Sequence, residues 1–178
     1  MKPGVITMTE LHGALAERLL EIQQRYDPRM VAELPPHITI SGSSGMGPIS
    51  PDTSDDELRD ALAAVAAATS PFSVMLQPPM RFMQSTVVVM PIDPHGPIRA
   101  LHERIKSSGL SFEQPRFTFT PHVTLSFYPE LSRERLRELL RVRITEPVHI
   151  DSIQAYRSID LTKTQKVLDL PLTGAPTT

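Results

Sequence analysis

At 178 residues, with 40% hydrophobic and 21% charged side chains, the chain is sized for one globular domain spanning 1–178 rather than two independent ones. A net charge of −2 excludes the broad positive field that a long duplex nucleic acid requires, so a short or mononucleotide ligand fits better. With no cysteine, disulfides, thiolate nucleophiles and zinc–thiolate sites are excluded together.

The N-terminus has no apolar stretch of the secretory kind, and the longest apolar run, Ala61 to Ala68, is too short to span a bilayer, so a cytoplasmic protein without membrane partners is expected. Val5 to Met8 reads as a short strand. Leu11, Leu15, Leu19 and Ile22 recur at helical spacing and predict an amphipathic helix from about Glu10 to Arg25, stopped by Asp27-Pro28. Pro35-Pro36 forces extended backbone into His37-Ile38-Thr39-Ile40-Ser41, whose polar/β-branched alternation predicts a strand. Residues 42–52, rich in Gly, Ser and Pro, read equally as an exposed loop or as a mobile flap. Ser54 and Glu57 form a capping box that opens a helix to about Thr69. Strands at Phe72–Leu76 and Thr86–Met90 follow, with Pro78-Pro79 turning between them, then a helix from about Ile98 to Ser107. Phe117–Tyr128 is extended, Ser132 caps a fourth helix to about Leu140, strands come at Val148–Tyr156 and Val167–Leu172, and Thr173–Thr178 frays. Helices interleaved with strands on short turns predict an α+β fold with antiparallel sheet.

One internal repeat carries chemistry. Pro36-His37-Ile38-Thr39-Ile40-Ser41 matches Pro121-His122-Val123-Thr124-Leu125-Ser126, nearly half the chain away, and predicts two similar lobes. In a strand, alternate residues share a face, so His37, Thr39 and Ser41 point one way, as do His122, Thr124 and Ser126. Two such edges facing one another would cleave a phosphodiester: one neutral imidazole takes a proton from water, and one imidazolium protonates the departing oxygen. The threonine hydroxyls would hydrogen-bond the non-bridging oxygens. No metal is needed, and no histidine stands in a metal-binding spacing.

The paired His-[Ile/Val]-Thr-[Ile/Leu] motifs resemble those of the 2H phosphoesterase superfamily, which includes 2′,5′-RNA ligases and 2′,3′-cyclic phosphodiesterases. The resemblance spans most of the chain, with Tyr26-Asp27-Pro28, Leu101-His102 and Ile153 to Tyr156 at comparable places. It implies a bilobal pseudo-two-fold α+β fold, with two antiparallel sheets facing a central groove and helices outside. It further implies that His37 and His122 are catalytic, His37 as acid and His122 as base in hydrolysis, and that Thr39 and Thr124 bind phosphate. The expected substrate is a 2′,3′-cyclic phosphate or 2′,5′-phosphodiester of a nucleotide or short RNA, handled by a monomer without cofactor. ATP-independent 2′,5′-RNA ligation and non-catalytic nucleotide binding are the alternatives.

Further candidates for binding substrate are Ser41 and Ser126, Tyr128 by strand parity, and Arg116, ahead of Arg81 and Arg157 as a cation for phosphate. Tyr156 is a possible stacking residue, Gln84 and Ser85 sit in a hairpin turn, and Phe82 reads as ordinary packing. His12, His95, His102 and His149 lack a repeated partner and read as surface or packing residues.

Overall fold

The computed structural model describes residues 4–32, 34–82, 85–127, 130–158 and 163–175. In chain order its elements are β1 (Val5–Glu10), α1 (Gly13–Tyr26), α2 (Pro28–Val31), β2 (His37–Ser41), α3 (Asp55–Ala67), β3 (Phe72–Val74), β4 (Met80–Arg81), β5 (Val88–Pro91), α4 (Pro97–Lys106), β6 (His122–Ser126), α5 (Arg133–Leu140), β7 (Val148–Ile150), β8 (Ser152–Ser158) and β9 (Thr164–Pro171). Among the described residues, seven strands form one sheet in the order β4-β5-β6-β2-β1-β8-β9, antiparallel at every pairing. β3 and β7 make a separate two-stranded sheet.

The α+β architecture with antiparallel sheet is as expected, and the halves are joined more closely than two sheets across a groove. The repeated strands β2 and β6 pair directly through Ile38 and Val123, which are equivalent residues of the two motifs. A pseudo-two-fold axis therefore passes through that pair, and the lobes share one continuous sheet. The repeat extends outward: β1 pairs with β2 as Met8↔Thr39, β5 with β6 as Val89↔Thr124, and each pairing is irregular at the matching place, opposite Thr7/Met8 and Val88/Val89, where it skips Ile40 and Leu125.

The pleat sends Ile38, Ile40, Val123 and Leu125 to one face, where each is 0 or 1% exposed, and leaves His37, Thr39, His122 and Thr124 partly accessible on the other. Helices cover the apolar face in crossed fashion. α1, from the first half, donates from Gln23 Nε2 to the Thr124 carbonyl of β6 (2.8 Å), while α4, from the second half, donates from His102 Nδ1 to the Ile40 carbonyl of β2 (2.9 Å). Each motif strand is thus held by the other lobe's helix. At the end of α1, the buried Asp27 carboxylate accepts from the amides of Met30 and Phe127, tying the helix terminus to the end of β6.

The local differences have local causes. β1 runs to Glu10 and the first helix begins only at Gly13, because the ladder to β2 reaches Glu10 and the Leu11 amide bonds the Pro36 carbonyl, holding extended the start of the segment that the leucine spacing assigned to helix. The expected strand Val148–Tyr156 is two strands, β7 in the small sheet and β8 in the large one, parted at Asp151. Most of residues 42–50 are packed down rather than forming an exposed loop, with Ser43 exposed and Pro51 and Asp52 at the surface. Met46 and Ile49 are buried, and the backbone is bonded to Val5, Ser111, Glu113 and Phe117. Gly45, at φ +73°, lies flat against the His102 ring, which itself stacks on Phe119 at 3.8 Å; a Cβ there would collide with the imidazole.

Candidate active site

Both histidines open their strands in the same way. His37 Nδ1 lies 2.7 Å from the Pro35 carbonyl, and His122 Nδ1 lies 2.7 Å from the Thr120 carbonyl. A carbonyl only accepts, so each Nδ1 carries a hydrogen, and in the neutral ring the lone pair sits on Nε2. Two residues of backbone upstream therefore orient each ring and select its tautomer. Extended entry is enforced by Pro35-Pro36 in the first half and Pro121 in the second.

One step either way from Ile38↔Val123, the antiparallel register sets His37 opposite Thr124 and Thr39 opposite His122. The four side chains form a quadrilateral on the accessible face, with histidines on one diagonal and threonines on the other. Diagonal Cβ atoms in such a ladder stand roughly 7–8 Å apart. That gap lets two imidazoles flank a single tetrahedral anion.

The third strand on each side adds an aromatic residue. Phe82, after β4, places its ring 4.7 Å from the His122 ring, tilted by 40°. Tyr156, on β8, donates its hydroxyl to Glu10 Oε1 at 2.5 Å. The two are counterparts: Tyr156 stands beside Ile6, Phe82 bonds Val87, and the offset that carries Met8 to Val89 carries Ile6 to Val87. Glu10 itself pairs with His37 across β1 and β2, whereas Pro91 occupies the corresponding place beside His122. Lys166, from β9, caps the same Glu10 oxygen at 2.7 Å and reaches Asp169 at 3.5 Å.

Burial pushes both imidazoles below their ordinary range. For His37 the Pro35 hydrogen bond opposes this, the charge of a protonated His122 reinforces it, and the Glu10 carboxylate opposes it. For His122 the counterweight is the Thr120 hydrogen bond. Burial and the bond to Glu10 raise the Tyr156 phenol, which stays protonated as a donor. Among the described residues no group of three or more His, Asp or Glu side chains is placed to hold a metal ion, and no helix is long and apolar enough to cross a membrane.

Comparison with known proteins agrees with this fold. Residues 11–160 match the family model of the 2′-5′ RNA ligase superfamily. The chain belongs to that superfamily. A Geobacillus kaustophilus protein whose name assigns it provisionally to the phosphoesterases, GK0864, is 30% identical over 108 residues, and the chain spans only 57% of that relative's length. The fold of TT0787 from Thermus thermophilus is similar at a TM-score of 0.63 and 14% identity, covering 96% of this chain and 98% of that one. E. coli LigT, crystallised with 3′-AMP, is similar at a TM-score of 0.59 and 15% identity over the same shares.

Within this member of the superfamily, the structure brings His37, Thr39, His122 and Thr124 to one face and separates the other candidates from them. Ser41 is wholly buried and exchanges hydrogen bonds with Thr7, its Oγ 2.8 Å from Thr7 Oγ1, so its hydroxyl is committed to the β1–β2 irregularity rather than to a ligand. Ser126 is equally buried, with no hydrogen-bond partner for Oγ among the described residues, because Val88 stands where Thr7 stands in the first half. Strand parity predicted both as accessible; the irregular pairing turns them inward. Arg116 is exposed, its amide bonded to Ser43, and no contact among the described residues ties it to the histidines. Arg157 grips the carbonyls of Pro51 and Thr53 and the Asp55 carboxylate, and Arg81 bonds the Ser85 carbonyl. Tyr128 and Gln84 lie outside the described residues. Phe82 is not mere packing, since it lies on His122. Glu10 and Lys166 escaped the sequence reading altogether. Glu10 was hidden in a predicted helix, and an isolated lysine near the end of the chain carries no local signal.

Proposed function

We propose that this chain is a metal-independent phosphoesterase that hydrolyses a 2′,3′-cyclic phosphate or a 2′,5′-phosphodiester of a nucleotide or short RNA. His122 Nε2 takes a proton from the attacking water as its oxygen bonds to phosphorus. His37, protonated at Nε2, gives its proton to the ribose oxygen as the P–O bond breaks. The hydroxyls of Thr39 and Thr124 donate to the non-bridging oxygens, where charge builds up in the transition state. The observation that carries the reading is the matched pair of imidazoles, each held at Nδ1 by a carbonyl two residues upstream, on a shared face with a threonine opposite each. A nucleotide-sized occupant is supported by the LigT crystals, which include complexes with 3′-AMP and with phosphate. Phe82 beside His122 offers a surface for a base.

The test is hydrolysis of 2′,3′-cyclic mononucleotides in EDTA by the wild type, His37→Ala and His122→Ala. The expected result is turnover in the wild type and a loss of about 10²-fold or more in each variant. Its kcat/KM profile should be a bell centred on the acid side of the ordinary imidazole value of about 6.5, because burial lowers both rings. Full activity in both variants would sink the proposal. The family description favours a second reading, ATP-independent ligation, in which a ribose hydroxyl replaces water. RNA halves bearing 2′,3′-cyclic phosphate and 5′-hydroxyl ends separate the two: a joined product indicates ligation, opened ends hydrolysis.

A further inference from the structure

The pseudo-two-fold axis makes the two histidines equivalent in backbone support, tautomer, strand position and threonine neighbour. Acid–base catalysis needs them unequal. Repulsion between the rings is mutual and selects neither, and an anion seated on the axis acts on both alike. The selection must come from where the halves differ.

They differ most beside the rings. The residue paired with His37 on the outer strand is Glu10, and the residue paired with His122 is Pro91. The aromatic counterparts differ in the same sense: Tyr156 donates a hydrogen bond to Glu10, whereas Phe82 has only a ring to lay on His122. Glu10 is 8% exposed, and its Oε1 takes both the Tyr156 hydroxyl at 2.5 Å and Lys166 Nζ at 2.7 Å. Two donors, one of them a cation, converge on that one oxygen and fix the carboxylate in place. A fixed negative charge therefore sits on the His37 side of the groove, with no counterpart on the His122 side among the described residues.

We propose that Glu10, held in place by Tyr156 and Lys166, is the positioning residue that breaks the equivalence of the two histidines and keeps the catalytic proton on His37. This inference rests on the phosphoesterase reading and adds to it the origin of the acid's identity. Glu10 makes no hydrogen bond to the ring, whose Nδ1 is taken by Pro35, so it works through space. Lys166 opposes it: the cation that anchors the carboxylate also offsets part of its field. Besides Glu10, the charge of His122 on β6 acts on His37, while Tyr156 on β8 and Lys166 on β9 meet Glu10 and Asp169 on β9 meets Lys166. On the apolar face, α4 carries His102 against the Ile40 carbonyl, together with Arg99, Glu103, Arg104 and Lys106. Of these, Glu10 is the carboxylate paired with His37 in the ladder.

The opposed signs of Glu10 and Lys166 make the test specific. Proton NMR titration of the His37 and His122 rings is followed in the wild type, Glu10→Gln and Lys166→Met, alongside kcat/KM against pH on a 2′,3′-cyclic mononucleotide. Glu10→Gln should lower the apparent His37 value by about 0.5–1 pH unit, less than the shift for an unshielded pair because Lys166 offsets the charge. Lys166→Met should raise it. His122 should move less in both. On the rate profile the alkaline limb, where the acid loses its proton, should follow His37 in both directions. A residue that merely braced the fold would not move one limb in opposite directions in the two variants. The inference is overturned if His37 does not move, if both variants move it the same way, or if the acidic limb moves instead. A wild type without turnover defeats the phosphoesterase reading, whereas the ring titrations still decide the role of Glu10.

Discussion

At the scale of single residues, the site is a matter of which atom each side chain is left with. His37 and His122 spend Nδ1 on a backbone carbonyl and keep Nε2, and Thr39 and Thr124 stand across from the opposite imidazole. If the hydroxyls stabilise charge developing on the non-bridging oxygens, Thr39→Val and Thr124→Val should each lower kcat by about 10²-fold with little change in KM. Circular dichroism should stay that of the wild type. A change confined to KM would mean that the hydroxyls serve ground-state binding instead. These four residues were legible in the sequence because a repeated tripeptide and the two-residue period of a strand are local properties. Phe82, Glu10 and Lys166 were not. Phe82 meets His122, Glu10 pairs with His37 and Lys166 meets Glu10, all from segments remote in sequence, and nothing in their own neighbourhoods marks them.

At the scale of elements, the same repeat that revealed the histidines misassigned the serines behind them. Parity alone puts Ser41 and Ser126 on the accessible face, yet the pairing irregularities at Thr7/Met8 and Val88/Val89 shift the register there. Both end up buried, and they differ only in the neighbour opposite, Thr7 in one half and Val88 in the other. Ser41→Ala should therefore cost about 1–3 kcal/mol, since it strands the buried Thr7 amide and leaves the Thr7 hydroxyl only the Ser41 amide as a partner. Ser126→Ala removes a hydroxyl that has no partner among the described residues and should be neutral or slightly stabilising. Urea denaturation of both variants measures the contrast, and neither should alter KM. Helix boundaries set by caps were readable in advance: α3 begins after the capping box of Ser54 and Glu57, and α5 after Ser132. The start of α1 was not, because pairing with β2 through Glu10 and the bond from the Leu11 amide to Pro36 override the helical spacing of leucines that begins at Leu11.

At the scale of the whole molecule, the lobes are interlocked across the apolar face: α1 holds β6, and α4 holds β2 through His102. Burial lowers His37, His122 and His102, the last countered by its bond to Ile40. A group whose folded value lies below its unfolded one binds fewer protons when folded, so stability falls as pH drops below about 6.5 and continues to fall until the folded value is passed. The urea midpoint should decline between pH 7 and pH 5. The decline should shrink in His102→Asn, whose amide can keep the bond to Ile40. An unchanged slope would show that His102 contributes nothing to the acid response.

The order of amino acids was sufficient for the duplicated motif, the α+β class and the four side chains of the shared accessible face, because periodicity, proline punctuation and capping are written into short segments. It could not say that the halves fuse into one sheet, that Ser41 and Ser126 turn inward, or that most of residues 42–50 are packed down. Nor could it show that a carboxylate stands beside one histidine and a proline beside the other. Those outcomes depend on strand register and on contacts between distant segments, and register is settled only when the apolar faces of both halves are buried together.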